Sequence, residues 1–159
     1  MGAGLVRNRG YAFLRAGANK ELTQESYEGF CEMIPRDHVD SFVISDVFTI
    51  PHVAMMLAKT GSYEAIVTCA LVDEQVAWHQ EHLVKNIFEG LTRVSIDTEV
   101  LMIPLIFEST NRSGSNHRPL DAEAFFLRGL EAASTALEIS KLKSSVFALK
   151  DVLARLWPI

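Results

Sequence analysis

The amino-acid sequence predicts an α/β protein whose four-stranded parallel sheet is covered by helices on both faces, a three-layer α/β/α sandwich. Short apolar runs alternate along the chain with stretches in which apolar residues return every three or four positions. The longest run, residues 63–72, has only Glu64 and Thr68 as polar members, which is typical of a strand buried on both faces. Strands that alternate with helices pair in parallel through right-handed crossovers, so the alternation indicates the fold class.

Size and composition indicate one domain. With 159 residues, 48% of them hydrophobic, the chain is long enough to bury roughly 70% of the surface that it exposes when unfolded. We therefore expect residues 1–159 to form a single domain, with an N-terminal arm over residues 1–10 and a C-terminal helix over residues 144–157. The two cysteines, Cys31 and Cys69, lie in apolar stretches and are expected to be reduced core thiols.

Charge and hydropathy exclude several classes of partner. The net charge is −5 and no cluster of lysine and arginine is present, which argues against nucleic acid and against an anionic membrane surface. No apolar run approaches the ~18 residues of a membrane span, and the N-terminus lacks the apolar core of a signal peptide. We therefore expect a cytoplasmic protein.

Four apolar runs have the length and composition of strands, and they are residues 11–14, 39–44, 63–72 and 101–107. The first is followed by a turn of small residues over residues 15–19. The last contains Pro104, which has no N–H donor and is awkward inside a sheet, so it predicts an edge strand or a bulge.

The first two helices lie between these strands. One carries an apolar stripe that begins at Leu22 and continues through Tyr27 and Ile34, and Pro35 ends it. The second spans about residues 50–59, because Pro51 suits a first helical turn and Gly61 suits a C-cap.

Longer helical patterns fill the second half of the chain. The third helix begins after an acidic turn at Asp73 and keeps one apolar face as far as Leu91. Asp121 is placed to cap a fourth helix, whose apolar spacing continues to Ile139. Residues 144–157 form a further amphipathic segment, which we interpret as a separate C-terminal helix.

A histidine lies where the fold predicts a ligand site. In open α/β sheets ligands bind at the carboxyl ends of the strands, and the central strand ends next to a helix start that carries His79. The alternative is a histidine that only packs at a helix start or an interface. His79, Glu81 and His82 also resemble an incomplete metal-ligand set, but this spacing is common on solvated helices, and we predict no metal site.

Several short segments, in order and in register, resemble the lumazine synthase family. They are TIP at 49–51, AKTGSYEAIV at 58–67, His79, EGL at 89–91, TEV at 98–100 and RGLEAASTALEI at 128–139. The resemblance covers about residues 10–140 and implies the flavodoxin-like fold of that family. The long polar loop over residues 108–120 is most similar to the second bacterial type, which assembles as a decamer of two pentamers.

This resemblance implies an enzyme that works without a cofactor. Lumazine synthases condense 5-amino-6-(ribitylamino)uracil with 3,4-dihydroxy-2-butanone 4-phosphate to give 6,7-dimethyl-8-ribityllumazine. His79 falls on the family's catalytic histidine, and an imidazole titrates near enough to neutral pH to move protons. The family's substrate-binding positions fall on Ala18, Asn19, Phe48, Thr49, Ile50, Gln75, Val76, Ala77, Trp78, Arg118 and Arg128.

Some of these positions depart from the family's pattern. Ala18 replaces an aromatic ring that stacks on the pyrimidine, and Thr49 replaces a glutamate that binds the ribityl chain. Residues 75–78 replace the glycine and small hydroxyl residues that bind phosphate, and Asp73 and Glu74 precede them. Because carboxylates repel phosphate, we expect phosphate to bind weakly.

The family's later phosphate-binding arginine aligns near Leu120, so the nearest cations are Arg118 and Arg128. We expect any bound phosphate to contact one of these two arginines. Trp78, beside His79, either replaces the missing stacking surface or anchors a subunit interface.

Two function classes remain open from the sequence. One is an enzyme of the lumazine synthase family, acting on its usual substrates or on a related small carbonyl or amine. The other is a non-catalytic relative that keeps the assembly and binds a flavin or lumazine. In both cases we expect a small-molecule ligand and a pentamer-based homo-oligomer, with a decamer as the expected state.

Overall fold

A computed structural model describes residues 10–72, 80–109 and 120–157 of the chain. Within these ranges, four parallel strands form one sheet with helices on both faces, so the predicted three-layer α/β/α sandwich is confirmed. The strands are β1 (Gly10–Ala16), β2 (Val39–Ile44), β3 (Tyr63–Val72) and β4 (Leu101–Glu108). The helices are α1 (Lys20–Cys31), α2 (Ile50–Lys59), α3 (Gln80–Thr98) and α4 (Ala122–Leu156).

The strand order is β2-β1-β3-β4, and every neighbouring pair is parallel. β3 lies between β1 and β4 and is buried along almost its whole length, as its apolar composition predicts. β1 is longer than predicted, because Arg15 and Ala16 continue the pairing with β2 and β3 instead of starting the turn.

β4 lies at an edge of the described sheet, and this location accommodates Pro104. The proline pairs with Thr68 in a register that runs unbroken from Ala65 and Leu101 to Val72 and Glu108. The expectation of an edge strand is therefore confirmed, and no bulge accompanies it. Proline is tolerated there because an edge strand needs to donate to only one neighbour.

Each face of the sheet has its own apolar core. Ala12, Leu14 and Ala16 of β1 belong to the core under α2 and α3, whereas Tyr11 and Phe13 belong to the core under α1 and α4. This alternation is the two-residue period of an extended strand.

α1 and α4 touch through their backbones. A Cβ on Gly29 would lie 2.0 Å from the carbonyl oxygen of Phe126, which no side chain permits. One turn earlier, the Ser26 hydroxyl donates a hydrogen bond to the carbonyl oxygen of Phe125 at 2.8 Å. α4 is thereby held at a fixed position against α1 and the sheet.

Most of the predicted helix ends are confirmed. Pro51 lies in the first turn of α2, and Gly61 follows the helix with a φ of 69°, the left-handed conformation that favours glycine. The Asp121 carboxylate accepts from the N–H of Ala124 at 2.9 Å and so caps α4. α1 ends at Cys31, before Ile34, although the Ile34 side chain is still buried in the same core.

The prediction of two separate helices after residue 121 is wrong. α4 is one helix of 35 residues, and it runs through residues 140–143 without a break. Its interior after residue 129 contains neither glycine nor proline, so nothing interrupts the backbone hydrogen bonds. The change that suggested a new helix is a rotation of the apolar side around the same helix axis.

Candidate functional site

The carboxyl edge of the sheet has the topology of a ligand site. From β1 the chain moves to β2 on one side, and from β2 it crosses back over β1 to β3 on the other side. The connections that follow β1 and β3 therefore leave in opposite directions. In open α/β sheets such a switch point opens a crevice between the two strands, and ligands bind there. We call it the β1/β3 crevice.

A glycine turn forms the floor of this crevice. The N–H of Gly17 donates to the carbonyl oxygen of Ile44 at 3.2 Å, and its φ of 93° is strained for any other residue. A Cβ on Gly17 would lie 3.4 Å from Cγ1 of Val47 and 3.6 Å from the carbonyl oxygen of Leu71. The turn after β1 therefore lies between the loop after β2 and the end of β3.

The two predicted binding residues after this turn are both accessible. Ala18 is exposed, and its methyl group offers no surface on which a planar ring can stack. Asn19 occupies the N-cap position of α1, but its side chain makes no capping hydrogen bond. The exposed amide of Asn19 is therefore able to donate to a ligand and to accept from it.

The loop after β2 presents an aromatic ring. Asp46 organises this loop, because its carboxylate accepts from the N–H of Phe48 at 2.9 Å and its carbonyl oxygen accepts from the Thr49 hydroxyl at 2.7 Å. The side chain of Ile50 is wholly buried and anchors the loop to the core. Phe48, in contrast, is 59% exposed. The loop is thus fixed at both ends while its phenyl ring faces outwards.

Thr49 and Ile50 are restricted in what they offer a ligand. The Thr49 hydroxyl proton is already donated within the loop, so the oxygen is left to accept a hydrogen bond. A glutamate at this position would also accept, and Thr49 keeps that capacity with a shorter, uncharged group. Ile50 reaches a ligand only through its backbone, because its side chain lies in the core.

Arg128 lies near the start of α4, on the exposed surface. Its guanidinium pairs with the carboxylate of Glu131 at 2.9 Å. One turn earlier, Phe125 stacks on Phe107 of β4 with ring centroids 3.8 Å apart, and this contact fixes the start of α4 near the carboxyl edge. The ion pair is solvent-exposed and weak, so a phosphate is able to replace Glu131.

The remaining predicted site residues lie outside the described ranges, and they are Gln75, Val76, Ala77, Trp78, His79 and Arg118. The described residues that flank them are informative. β3 ends at Val72, and the N–H of Ser109, just after β4, donates to the carbonyl oxygen of Val72 at 3.0 Å. Both undescribed segments, residues 73–79 and 110–119, therefore begin at the carboxyl edge of the sheet.

The metal alternative gains no support from the described residues. His82 is exposed on α3. Across residues 10–72, 80–109 and 120–157, no three His, Cys, Asp or Glu side chains are close enough to share a metal ion. His79 lies outside these ranges.

Sequence reasoning missed a polar cluster beside the crevice, on the α1 face of β1. Arg15 donates to the side chain of Gln24 and, at 3.4 Å, to the hydroxyl of Ser41. Its guanidinium lies 5.7 Å from the centre of the Tyr27 ring, and that of Arg36 lies 5.5 Å from the same ring. The available signal was a charged residue at a β1 position on the same face of the sheet as the aromatic residues Tyr11 and Phe13.

Glu28 completes this cluster at its exposed side. It forms an ion pair with Arg36, and hydrogen bonds from Arg36 and Gln24 hold the pKa of Glu28 below its usual value. Arg15 is two residues before Gly17 in the sequence, so the cluster lies next to the turn at the base of the crevice.

Comparison with known proteins identifies the family. A sequence model of the family described as 6,7-dimethyl-8-ribityllumazine synthase matches residues 10–144. The chain belongs to this family. The 6,7-dimethyl-8-ribityllumazine synthase of Rhodococcus erythropolis is 29% identical to it, over 80% of this chain and 86% of that protein. The 6,7-dimethyl-8-ribityllumazine synthase 2 of Pseudomonas syringae pv. tomato is also 29% identical, over 86% of this chain and 85% of that protein.

These matches confirm the predicted resemblance and the prediction of a lumazine synthase-like enzyme. The similarity to a protein named synthase 2 agrees with the predicted likeness to the second bacterial type. None of the helices in the described part of this lumazine synthase relative is long and apolar enough to cross a membrane.

Proposed function

We propose that the β1/β3 crevice is the site where this chain condenses 5-amino-6-(ribitylamino)uracil with 3,4-dihydroxy-2-butanone 4-phosphate. The observation that carries the proposal is the family match over residues 10–144, which includes every strand of the sheet and the segment that contains His79. The crevice lies at the topological switch point, where such folds bind ligands. The product is 6,7-dimethyl-8-ribityllumazine, and phosphate and water leave.

The ribityl-uracil binds between the loops after β1 and β2. We assign the Asn19 amide and the Thr49 oxygen to hydrogen bonds with its polar groups, because both are exposed at this edge. The exposed ring of Phe48 contributes apolar contact area. Ala18 contributes no stacking, so this half of the substrate is held more weakly than an aromatic platform would hold it.

His79 carries the proton transfers. The amino group of the uracil adds to the carbonyl carbon of the butanone phosphate, and a water molecule leaves as the Schiff base forms. Removal of a proton from carbon then expels phosphate and leaves, after tautomerisation, a second carbonyl group. The ribitylamino nitrogen adds to this carbonyl carbon, and loss of a second water molecule closes the ring of the lumazine. A neutral imidazole is able to perform each transfer near neutral pH, and positioning of the two substrates supplies the rest of the rate enhancement.

For the butanone phosphate, we assign Arg118 and Arg128 as the candidate partners of the phosphate group. Asp73 and Glu74 oppose this binding through charge repulsion. Gln75, Val76, Ala77 and Trp78 supply backbone and side-chain contacts around the same group.

The working form is a pentamer-based homo-oligomer in the cytoplasm, and we propose a decamer. α3 supports this proposal, because Ile96 is 73% exposed and Phe88 lies on the same surface two turns earlier. Apolar side chains on an exposed helix face are typical of a subunit interface. The similarity to a relative named synthase 2 agrees with the resemblance to the second bacterial type, and the decamer is inferred from that resemblance. Sedimentation that shows a stable monomer or dimer at micromolar concentration would contradict this assembly.

The deciding experiment is turnover of the purified protein with both substrates, followed by the absorbance of the lumazine product. The loss of the stacking ring at Ala18 favours one alternative, a non-catalytic member that binds a flavin or lumazine. Titration with riboflavin, read by tryptophan fluorescence, tests that alternative. Turnover supports the enzyme, and quenching without turnover supports the binder. If neither turnover nor quenching is observed, a structural role remains.

A further inference from the structure

The last part of α4 carries an apolar stripe with the spacing of a coiled coil. From Ile139 onwards, apolar residues follow at alternating intervals of three and four, and they are Ile139, Leu142, Val146, Leu149, Leu153 and Leu156. This is the heptad pattern, which places all six side chains along one line of the helix. We call these six residues the heptad stripe.

The described part of the chain covers Ile139 in part and leaves the heptad stripe exposed from Leu142 onwards. From Leu142 to Leu156 its members are between 55% and 72% exposed. The buried residues of α4, from Phe125 to Ala136, all precede it. A contiguous apolar surface of this kind on a soluble protein is typical of an interaction site.

α4 stays next to the body of the protein along the first half of the heptad stripe. The Ser140 hydroxyl donates to the carboxylate of Glu64 at 2.7 Å. A cavity of about 370 Å³ lies between α4 and the start of β4, and it is bordered by Phe147 and by three residues of the stripe, Ile139, Leu142 and Val146. Beyond this cavity the helix leaves the body, and the heptad stripe continues to its end.

We propose that the heptad stripe pairs with the same stripe of a second copy of this chain, as a short parallel two-stranded coiled coil. In the heptad notation Ile139, Val146 and Leu153 occupy the a positions, and Leu142, Leu149 and Leu156 occupy the d positions. β-branched residues at a with leucine at d favour two parallel strands. Two of the three a positions and all three d positions follow that rule.

The charges beside the stripe select the parallel arrangement. The g positions are Glu138, Ser145 and Val152, and the e positions are Lys143, Lys150 and Trp157. In a parallel pair each g residue meets the next e residue of the partner, so Glu138 meets Lys143 and Val152 meets Trp157. In an antiparallel pair the e positions face each other, which places Lys143 near Lys150. The attraction between Glu138 and Lys143 and the apolar contact between Val152 and Trp157 thus favour the parallel pair. The repulsion between Lys143 and Lys150 disfavours the antiparallel pair.

A coiled coil of fewer than three heptads suffices here because the helix is already formed. α4 continues from the folded body to Leu156, and the N–H of Trp157 still donates to the carbonyl oxygen of Leu153 at 2.9 Å. Association therefore does not have to nucleate a helix, which is the main cost for a short isolated peptide.

The heptad stripe lies at the end of α4 opposite the β1/β3 crevice. α4 begins at the carboxyl edge, where Phe125 stacks on Phe107, and reaches the amino edge near Glu64. The family match ends at residue 144, so most of the stripe lies beyond the part of the chain on which the proposed function depends. The two proposals are therefore tested by independent measurements.

Disulfide cross-linking tests the pairing and its direction. In a parallel pair, Leu149 faces Leu149 of the second copy, so Leu149→Cys should form a disulfide-linked dimer under mild oxidation, seen on a non-reducing gel. Asp151→Cys, on the opposite side of the same helix, is the matched control and should not cross-link. The wild-type protein is the control for background cross-linking through its own free cysteines, Cys31 and Cys69.

Sedimentation supplies a second readout. Leu149→Glu with Leu153→Glu should lower the mass of the assembly, whereas Ser144→Glu, at an exposed position away from the stripe, should not. Equal masses for both variants and no cross-link through Leu149→Cys would overturn the proposal and leave the stripe to another occupant. A cross-link that forms only between Val146→Cys and Leu149→Cys chains would overturn the parallel direction. Neither readout depends on turnover, so loss of pairing and loss of the proposed function are distinguishable.

Discussion

Gly129 of α4 lies directly against Ser26 of α1: a Cβ on Gly129 would be 1.9 Å from the carbonyl oxygen of Ser26. The obstacle is backbone and not the end of a flexible side chain, so the two helices have to move apart to admit even a methyl group. This contact, with Gly29 on the other helix, determines how close α4 lies to α1.

Gly129→Ala should therefore destabilise the protein by about 1–3 kcal/mol, the usual effect of overpacking, despite the better helix propensity of alanine. Urea unfolding followed by circular dichroism measures the change. Ser134→Ala, at an exposed position of the same helix, should change the free energy of unfolding by less than about 0.5 kcal/mol. Equal stability of the two variants would contradict the close contact.

His79→Ala should reduce turnover by about 10²-fold to 10⁴-fold, the usual contribution of a positioned acid or base. It should leave the affinity for a ribityl-uracil analogue nearly unchanged, because the proposed role of His79 is proton transfer and not binding. Steady-state kinetics and fluorescence titration separate the two effects. His82→Ala, at an exposed position at the start of α3, is the control and should retain activity.

Restoring the family's binding groups should strengthen binding of the ribityl-uracil. Ala18→Phe supplies a stacking surface at the β1/β3 crevice, and Thr49→Glu supplies a charged acceptor for the ribityl hydroxyls. Calorimetry with a ribityl-uracil analogue should show a lower Kd for the double variant. Ala148→Phe, on the exposed far end of α4, should have no effect. The synthase interpretation fails if wild type shows no turnover and the double variant improves neither affinity nor rate.

Binding of inorganic phosphate should be weak and should depend on Arg128. Competition of phosphate against turnover measures this binding, and Arg128→Ala should weaken it further. Arg93→Ala is the matched control, because Arg93 is also an exposed helical arginine, paired with Asp97. Identical inhibition constants for the two variants would remove Arg128 from the site. Replacing Asp73 and Glu74 with Asn and Gln should strengthen phosphate binding.

The thiol of Cys69 should make the protein less stable in alkaline solution. Burial raises the pKa of Cys69 from 9.0 to about 12 in the folded protein, so the unfolded chain loses this proton at lower pH than the folded chain. The stabilisation is complete below about pH 9 and is lost as the pH rises towards 12. Between these limits the free energy of unfolding should fall by up to about 1.4 kcal/mol per pH unit more in wild type than in Cys69→Ala. Parallel pH profiles for the two proteins would contradict the buried thiol.

The sheet could be predicted from sequence because its strands have unambiguous signals. The bounds of β3 agree with its apolar run, since a strand buried on both faces has few polar residues. The end of β1 was missed because Arg15 is charged and resembles the start of a turn. Its guanidinium is accommodated through Gln24, Ser41 and the Tyr27 ring, partners that lie on other elements. Contacts of this kind cannot be seen in a local sequence pattern.

The candidate site was predicted in part for a similar reason. The sequence indicates which loops follow the strands, and the fold places the loops with Ala18, Asn19, Phe48 and Thr49 at the same edge.

The interpretation of residues 144–157 as a separate helix failed because the apolar side of α4 rotates where the helix leaves the body. Periodicity alone does not distinguish such a rotation from a chain break.

The length of α4 has a consequence for the use of this protein as a scaffold. After Ser140 the helix continues for about 16 residues, and at 1.5 Å per residue its end lies roughly 24 Å from the hydrogen bond between Ser140 and Glu64. A fluorophore or a fused domain attached after Trp157 would be held at that distance on a semi-rigid spacer. Because the spacer starts at the amino edge, the attached group would stand on the opposite side of the sheet from the β1/β3 crevice.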